Sequence, residues 1–121
     1  KYLEQNDKVA YVNYCGLEND KYHALAEKYL PNGSCGVVSF GVKGGRKAAE
    51  EFMKHLKLGS IETHVADART CCLHPASATH RQMNDEELTA CGVYPDLVRY
   101  SCGLEDAEDL IADLEQAFAQ I

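Results

Sequence analysis

No run of about 18 consecutive apolar residues occurs, so no segment is long enough to cross a bilayer as a helix. The first residues, KYLEQNDKVAYV, lack a basic stretch followed by an apolar one, and no secretory signal is expected. Basic residues are in deficit: 12 Lys and Arg against 19 Asp and Glu give a net charge of −7. With a pI near 5.1, that balance argues against nucleic acid or an anionic membrane as partner. There is no CxxC spacing, no internal repeat and no low-complexity tract.

What is present describes a globular chain. Its 121 residues are enough for one domain with a real core, and 45% apolar with 26% charged residues is ordinary for a folded protein in water. The six cysteines, Cys15, Cys35, Cys71, Cys72, Cys91 and Cys102, sit in or beside apolar runs. Such thiols are expected to be buried and reduced, which matches a cytoplasmic location.

Hydrophobic periodicity switches repeatedly between strand and helix. Val9–Tyr14 (VAYVNY), Gly36–Val42 (GVVSFGV) and Leu97–Cys102 (LVRYSC) read as strands, and Ile61–Val65 and Thr70–Leu73 as shorter ones. Tyr22–Leu30 forms a helical pattern with Tyr22, Leu25, Ala26 and Tyr29 on one face, stopped by Pro31 and Gly33. Gly44 and Gly45 turn into a helix with Ala48, Ala49, Phe52, Met53 and Leu56 at core spacing. Asn84 with Glu87 three residues on is a capping box, and Gly92 is a natural left-handed stop for the helix it opens. The last helix carries Leu110, Ile111, Leu114, Ala117 and Phe118 on one stripe. The order β-α-β-α-β-β-α-β-α predicts a two-layer α/β sandwich, with helices mainly on one face of the sheet.

Several stretches invite a chemical reading. CCLHPASATH (71–80) packs Cys71, Cys72, His74 and His80 together. Zinc sites normally come as C-x(2–4)-C or H-x(3–5)-H units, and neither is present, so no metal is expected. Cys72 and His74 share a strand face, yet nothing marks a lowered thiol pKa, and packing is the simpler reading. FGVKGGRK (Phe40–Lys47) is a glycine turn without the hydroxyl residue of a phosphate loop. Lys43 has no feature that would make it an imine-forming lysine. Arg99 differs from all of these, because a guanidinium inside an apolar strand needs a partner. The residues alone favour an internal salt bridge, with a bound carboxylate as the alternative.

Three separated runs carry a resemblance: VNYCGLENDKYHALAEKYLPNGSCGVVSFGVKGG, HVADARTCCLHPASATHRQMNDEELTACGV and LVRYSCGLEDAEDLIADLEQAF. In this order and spacing, they resemble the C-terminal domain of the Cys/Met-metabolism enzymes that use pyridoxal phosphate. Within that family the O-acetylhomoserine sulfhydrylases look nearest. The group also includes cystathionine γ-synthase, cystathionine lyases and methionine γ-lyase.

The resemblance implies the small C-terminal domain of aspartate-aminotransferase-like enzymes, an α+β sandwich on a mixed, mostly antiparallel sheet of four or five strands. A large N-terminal domain would hold pyridoxal phosphate and its lysine. No Ser-x-Thr-Lys-type motif occurs here, so the 121 residues read as an excised domain that is inactive alone. Full-length relatives are commonly homotetramers acting on small amino acids. Arg99 matches the arginine that clamps the substrate α-carboxylate, which reverses the salt-bridge expectation. Thr79 matches a pocket-lining threonine, and His64 and Val65 fall where relatives seat the carboxylate. His64 stands where relatives have Ser or Asn, Ala66 where they have Gly, and Cys15 where proline is common. Cys102 stands for a valine, and Cys71 and Cys72 for aliphatic residues. A γ- or β-lyase of the family, and a free-standing amino-acid-binding module, remain alternatives at this stage.

Overall fold

Alternation along the strands decides which side of the sheet is buried. The computed structural model describes residues 1–121. Five strands, β1 (Val9–Asn13), β2 (Val37–Val42), β3 (Ser60–Ile61), β4 (Cys71–Leu73) and β5 (Leu97–Ser101), form one sheet in the order β1-β2-β5-β4-β3. The β1–β2, β2–β5 and β4–β5 pairs are antiparallel, and only β3–β4 is parallel. The mixed, mostly antiparallel sheet is therefore as expected.

Helices α3 (Gly45–His55) and α5 (Ala107–Phe118) cover one face. Phe40 and Val42 of β2, Cys72 of β4 and Val98 and Tyr100 of β5 pack beneath them, joined by Phe52, Leu114 and Phe118. The Phe52 and Phe118 rings lie 4.4 Å apart, and Phe40 meets Phe52 edge-on at 5.8 Å. Each large buried ring removes 150–250 Å² from water, roughly 4–6 kcal/mol at about 25 cal/mol per Å² as an upper bound.

The helix ends follow local chemistry. In α4 (Asp85–Ala90) the Asn84 side chain accepts from the Glu86 and Glu87 N–H groups, while the Glu87 carboxylate accepts from the Asn84 N–H. Gly92 then takes φ 80°, the left-handed stop predicted for it. One ionisable residue of α5 breaks its apolar stripe. Asp113 is buried, and its carboxylate accepts from the N–H groups of Lys57, Leu58 and Gly59 at 2.8, 3.0 and 2.9 Å. It fastens the α3–β3 turn to α5.

Four expectations are revised. Of the six cysteines expected to be buried only Cys71 and Cys72 are; Cys15 is half-buried, and Cys35, Cys91 and Cys102 are exposed because they lie just outside β2, α4 and β5. The strand placed at Ile61–Val65 stops at Ile61. Beyond Glu62, whose N–H still donates to the Cys72 carbonyl, the chain turns away. Ala66 adopts φ 57° there, and its N–H donates to Ser101 Oγ at 3.1 Å. The face of α2 (His23–Tyr29) buries only Ala26; Tyr22, Leu25 and Tyr29 are exposed because nothing within these residues covers them. A short α1 (Tyr2–Gln5), unforeseen in the sequence, inserts Leu3 into the core.

Candidate anion-binding site

The stretch CCLHPASATH resolves into packing followed by a groove wall. Cys72 faces the helix-covered core, where burial and the nearby Asp113 push its thiol far above the usual range. Cys71 faces the other way, and burial raises its thiol too. Neither is a ready thiolate, since the nucleophilic form needs a lowered pKa. His74 is buried just before a short 3-10 turn (Pro75–Ser77), with Nε2 donating to the Pro95 carbonyl and Nδ1 bonded to Ser77 Oγ, both at 2.8 Å. With both ring nitrogens committed, it ties the turn to the loop before β5. No cluster of three or more His, Cys, Asp or Glu side chains is placed to hold a metal ion.

On the sheet face away from α3 and α5, a groove of about 540 Å³ runs over β2 and β5. Ser39, Thr63, Thr79, His80 and Arg99 supply its polar lining, and Val37, Leu73, Pro75 and Leu97 its apolar floor. Arg99 stands directly opposite Ser39 on β2 and Leu73 on β4. Its Nη2 donates to the Thr63 carbonyl at 2.8 Å and to the His64 carbonyl at 3.3 Å. Its Nε is buried with no hydrogen-bond partner, and no carboxylate lies within ion-pair distance of the guanidinium. The internal salt bridge favoured by residue chemistry alone is absent. No acidic residue lines the groove, and Arg99 brings a positive charge to its lining.

Thr79 shares this groove with Arg99, and its hydroxyl contacts His80 Nδ1 at 2.9 Å. His64 contributes its carbonyl to Arg99 while its ring turns to Glu62 at 2.9 Å. Val65 is half exposed and lies outside the groove lining. Ser39 and Thr63 were not singled out from the sequence, and His80 only as a possible metal ligand. The signal for Ser39 was available: in VVSFGV it alternates with the buried Phe40 and so must face the opposite side. Thr63 and His80 reach the groove through irregular loops, which no periodicity announces.

A second cavity, about 380 Å³, lies between α1, α5 and the ends of β1 and β2. It is lined almost wholly by apolar side chains, and the Tyr100 hydroxyl is its buried, unpartnered polar group. It contains nothing that would hold an anion comparably to Arg99.

Comparison with known proteins agrees across sequence and structure. The chain is 47% identical to a homocysteine synthase of Schizosaccharomyces pombe over 97% of its own length and 27% of that protein. It is 46% identical to O-acetyl-L-homoserine sulfhydrylase 1 of Thermus thermophilus, covering 98% of this chain and 28% of that one. A crystal structure from Campylobacter jejuni, assigned as an O-acetylhomoserine (thiol)-lyase and solved with N′-pyridoxyl-lysine-5′-monophosphate, superposes with a TM-score of 0.88. There the identity is 35%, covering 98% of this chain and 28% of the other. The chain thus spans a little over a quarter of the length of these relatives.

The groove does not itself fit pyridoxal phosphate. No lysine lines it to form the imine, and no aspartate or glutamate lines it to face a pyridine nitrogen. Residues 1–119 match the family model for Cys/Met metabolism PLP-dependent enzymes, and the chain belongs to that family.

Proposed function

We propose that this chain is the substrate-carboxylate-binding domain of a longer pyridoxal-phosphate enzyme that exchanges the γ-substituent of O-acetylhomoserine for sulfide, giving homocysteine and acetate. A cofactor domain in the rest of that protein would supply electron withdrawal, and the residues here would bind and orient. The relatives named above carry sulfhydrylase or synthase names, and this supports the substrate and the reaction type. The six free cysteines are compatible with a cytoplasmic setting, and no helix is long and apolar enough to cross a membrane.

The observation that carries the reading is the state of Arg99. Its guanidinium is steered by two backbone carbonyls, and no acid of the chain neutralises it. Carbonyls fix its direction without cancelling its charge, so a carboxylate arriving in the groove meets a guanidinium without a counter-ion whose Nε–H has no partner. Thr79 adds a hydroxyl to the same wall. Holding the amino acid by one end fixes the reacting carbon relative to the cofactor, an orientation effect that can amount to several kcal/mol.

The full-length protein should form homocysteine from O-acetylhomoserine plus sulfide. Release of an oxo acid and ammonia without added sulfide would instead make it a lyase. Arg99→Lys should raise KM for the amino acid roughly tenfold or more, because an ammonium cannot reproduce the fork. Unchanged kinetics in that variant would remove the carboxylate assignment.

A further inference from the structure

Three polar side chains stand in one row across the open face. Asn13 on β1 pairs directly with Ser39 on β2, and Ser39 pairs directly with Arg99 on β5. Directly opposed residues project from the same face with Cβ atoms about 5 Å apart. Ser39 and Arg99 therefore present their side chains to one small volume, and both line the groove.

Ser39 is an unusual choice at this position. It sits mid-strand between Val38 and Phe40, where β-branched or aromatic residues fit better. Within the chain its hydroxyl makes one contact, accepting from Asn13 Nδ2 at 3.4 Å. A side-chain NH2 can only donate, so the Ser39 proton is not used in that contact. The hydroxyl is left with one lone pair engaged from the β1 side and its own O–H free. Next to it stands a guanidinium with no anion.

We propose that Ser39 is a second direct contact for the carboxylate held by Arg99, donating its O–H to one carboxylate oxygen, and that Asn13 is a positioning residue that turns the Ser39 hydroxyl toward Arg99. This rests on the carboxylate reading of the groove and adds to it a donor on the neighbouring strand. The substrate end is then gripped from β2 and β5 together, with Thr79 on the loop side. Donors on adjacent strands also approach the carboxylate from two directions, which holds it against sliding along the groove.

The test uses the full-length protein with Ser39→Ala, Ser39→Thr, Asn13→Ala, the Asn13→Ala/Ser39→Ala pair and Arg99→Ala. Ser39→Ala should raise KM for the amino acid about tenfold with kcat little changed, the effect of one charge-assisted hydrogen bond. Ser39→Thr should restore most of that loss, because the hydroxyl returns. Asn13→Ala should have a smaller effect of the same kind and add nothing to Ser39→Ala, since it acts through Ser39. In a second measurement, acetate titrated into the 121-residue chain should shift the Ser39 amide and Arg99 Nε–H resonances together, several-fold more weakly in Ser39→Ala.

If Ser39→Ala leaves KM unchanged while Arg99→Ala raises it, the Ser39 contact is wrong and the groove reading survives. If neither variant moves KM, the underlying reading fails as well. A rise in KM that Ser39→Thr does not rescue, accompanied by a lower melting temperature, would make Ser39 structural and overturn the inference. Additive effects of Asn13 and Ser39 would remove Asn13 from its positioning role.

Discussion

Phe40 and Ser39 are neighbours in the same strand, yet they face opposite kinds of surroundings. Phe40 is fully buried beneath α3 and α5, in contact with Phe52 and Phe118. Ser39 looks across to Arg99 over a groove that no helix covers. The pleat separates the two by a single residue, so one strand serves a packed core and an open polar surface together. The covered side is held by area and shape. On the open side, a cation is kept in place by backbone carbonyls and left without a counter-ion. The arrangement is tolerable because the apolar core that holds the sheet lies on the other face and does not include Arg99.

The contrast predicts separable losses. Phe52→Ala should cost about 3–5 kcal/mol of stability, read from urea unfolding, because it opens a cavity among three rings. Arg99→Ala should cost about 1–2 kcal/mol, less than Phe52→Ala, since it removes no core contact but frees the Thr63 and His64 carbonyls. In the full-length protein the same change should raise KM by about a hundredfold. If Arg99→Ala unfolded the domain instead, the division of labour between the faces would be wrong.

Smaller effects refine the boundary between them. Ala66→Gly should stabilise the chain by up to about 1 kcal/mol, because Ala66 holds φ 57° where glycine is unstrained. The family resemblance places glycine at this position, and the backbone supplies the reason. Glu105 accepts from the Thr70 N–H at 2.7 Å and from the Thr70 hydroxyl at 2.8 Å, fastening the loop before β4 to the approach to α5. These bonds hold its carboxyl below the usual range. A depressed folded-state pKa gives stability that is present above the unfolded value near 4.3 and lost as pH falls through the folded one. Glu105→Gln should therefore lower stability at neutral pH, change it little at acid pH, and so flatten the acid limb of a stability–pH curve. An unchanged acid limb would show that this contact contributes nothing.

Most of the architecture was legible because it is periodic. The α3 and α5 stripes, the Asn84–Glu87 capping box and the alternation of β2 each follow from a short-range rule. The segment after Glu62 was not, since its path depends on distant partners: the Ser101 hydroxyl binds the Ala66 N–H, and Arg99 binds the Thr63 and His64 carbonyls. Extending β3 to Val65 followed local propensity where tertiary contacts prevail. Asp113 was hidden for a related reason. A carboxylate on an apolar stripe reads as an error until its three backbone donors, more than fifty residues away, are in place. Arg99 stood out from its strand context, but only the fold shows that none of the chain's 19 acids reaches it.

The two carbonyls on Arg99 carry a further consequence, one of timing. A free arginine side chain on a surface surrenders up to about 2 kcal/mol of rotamer entropy when a ligand immobilises it. Here Thr63 and His64 have already drawn the guanidinium into place. That ordering is completed during folding, so a carboxylate entering the groove would meet a rigid target, with association limited by its own desolvation more than by any rearrangement of the protein.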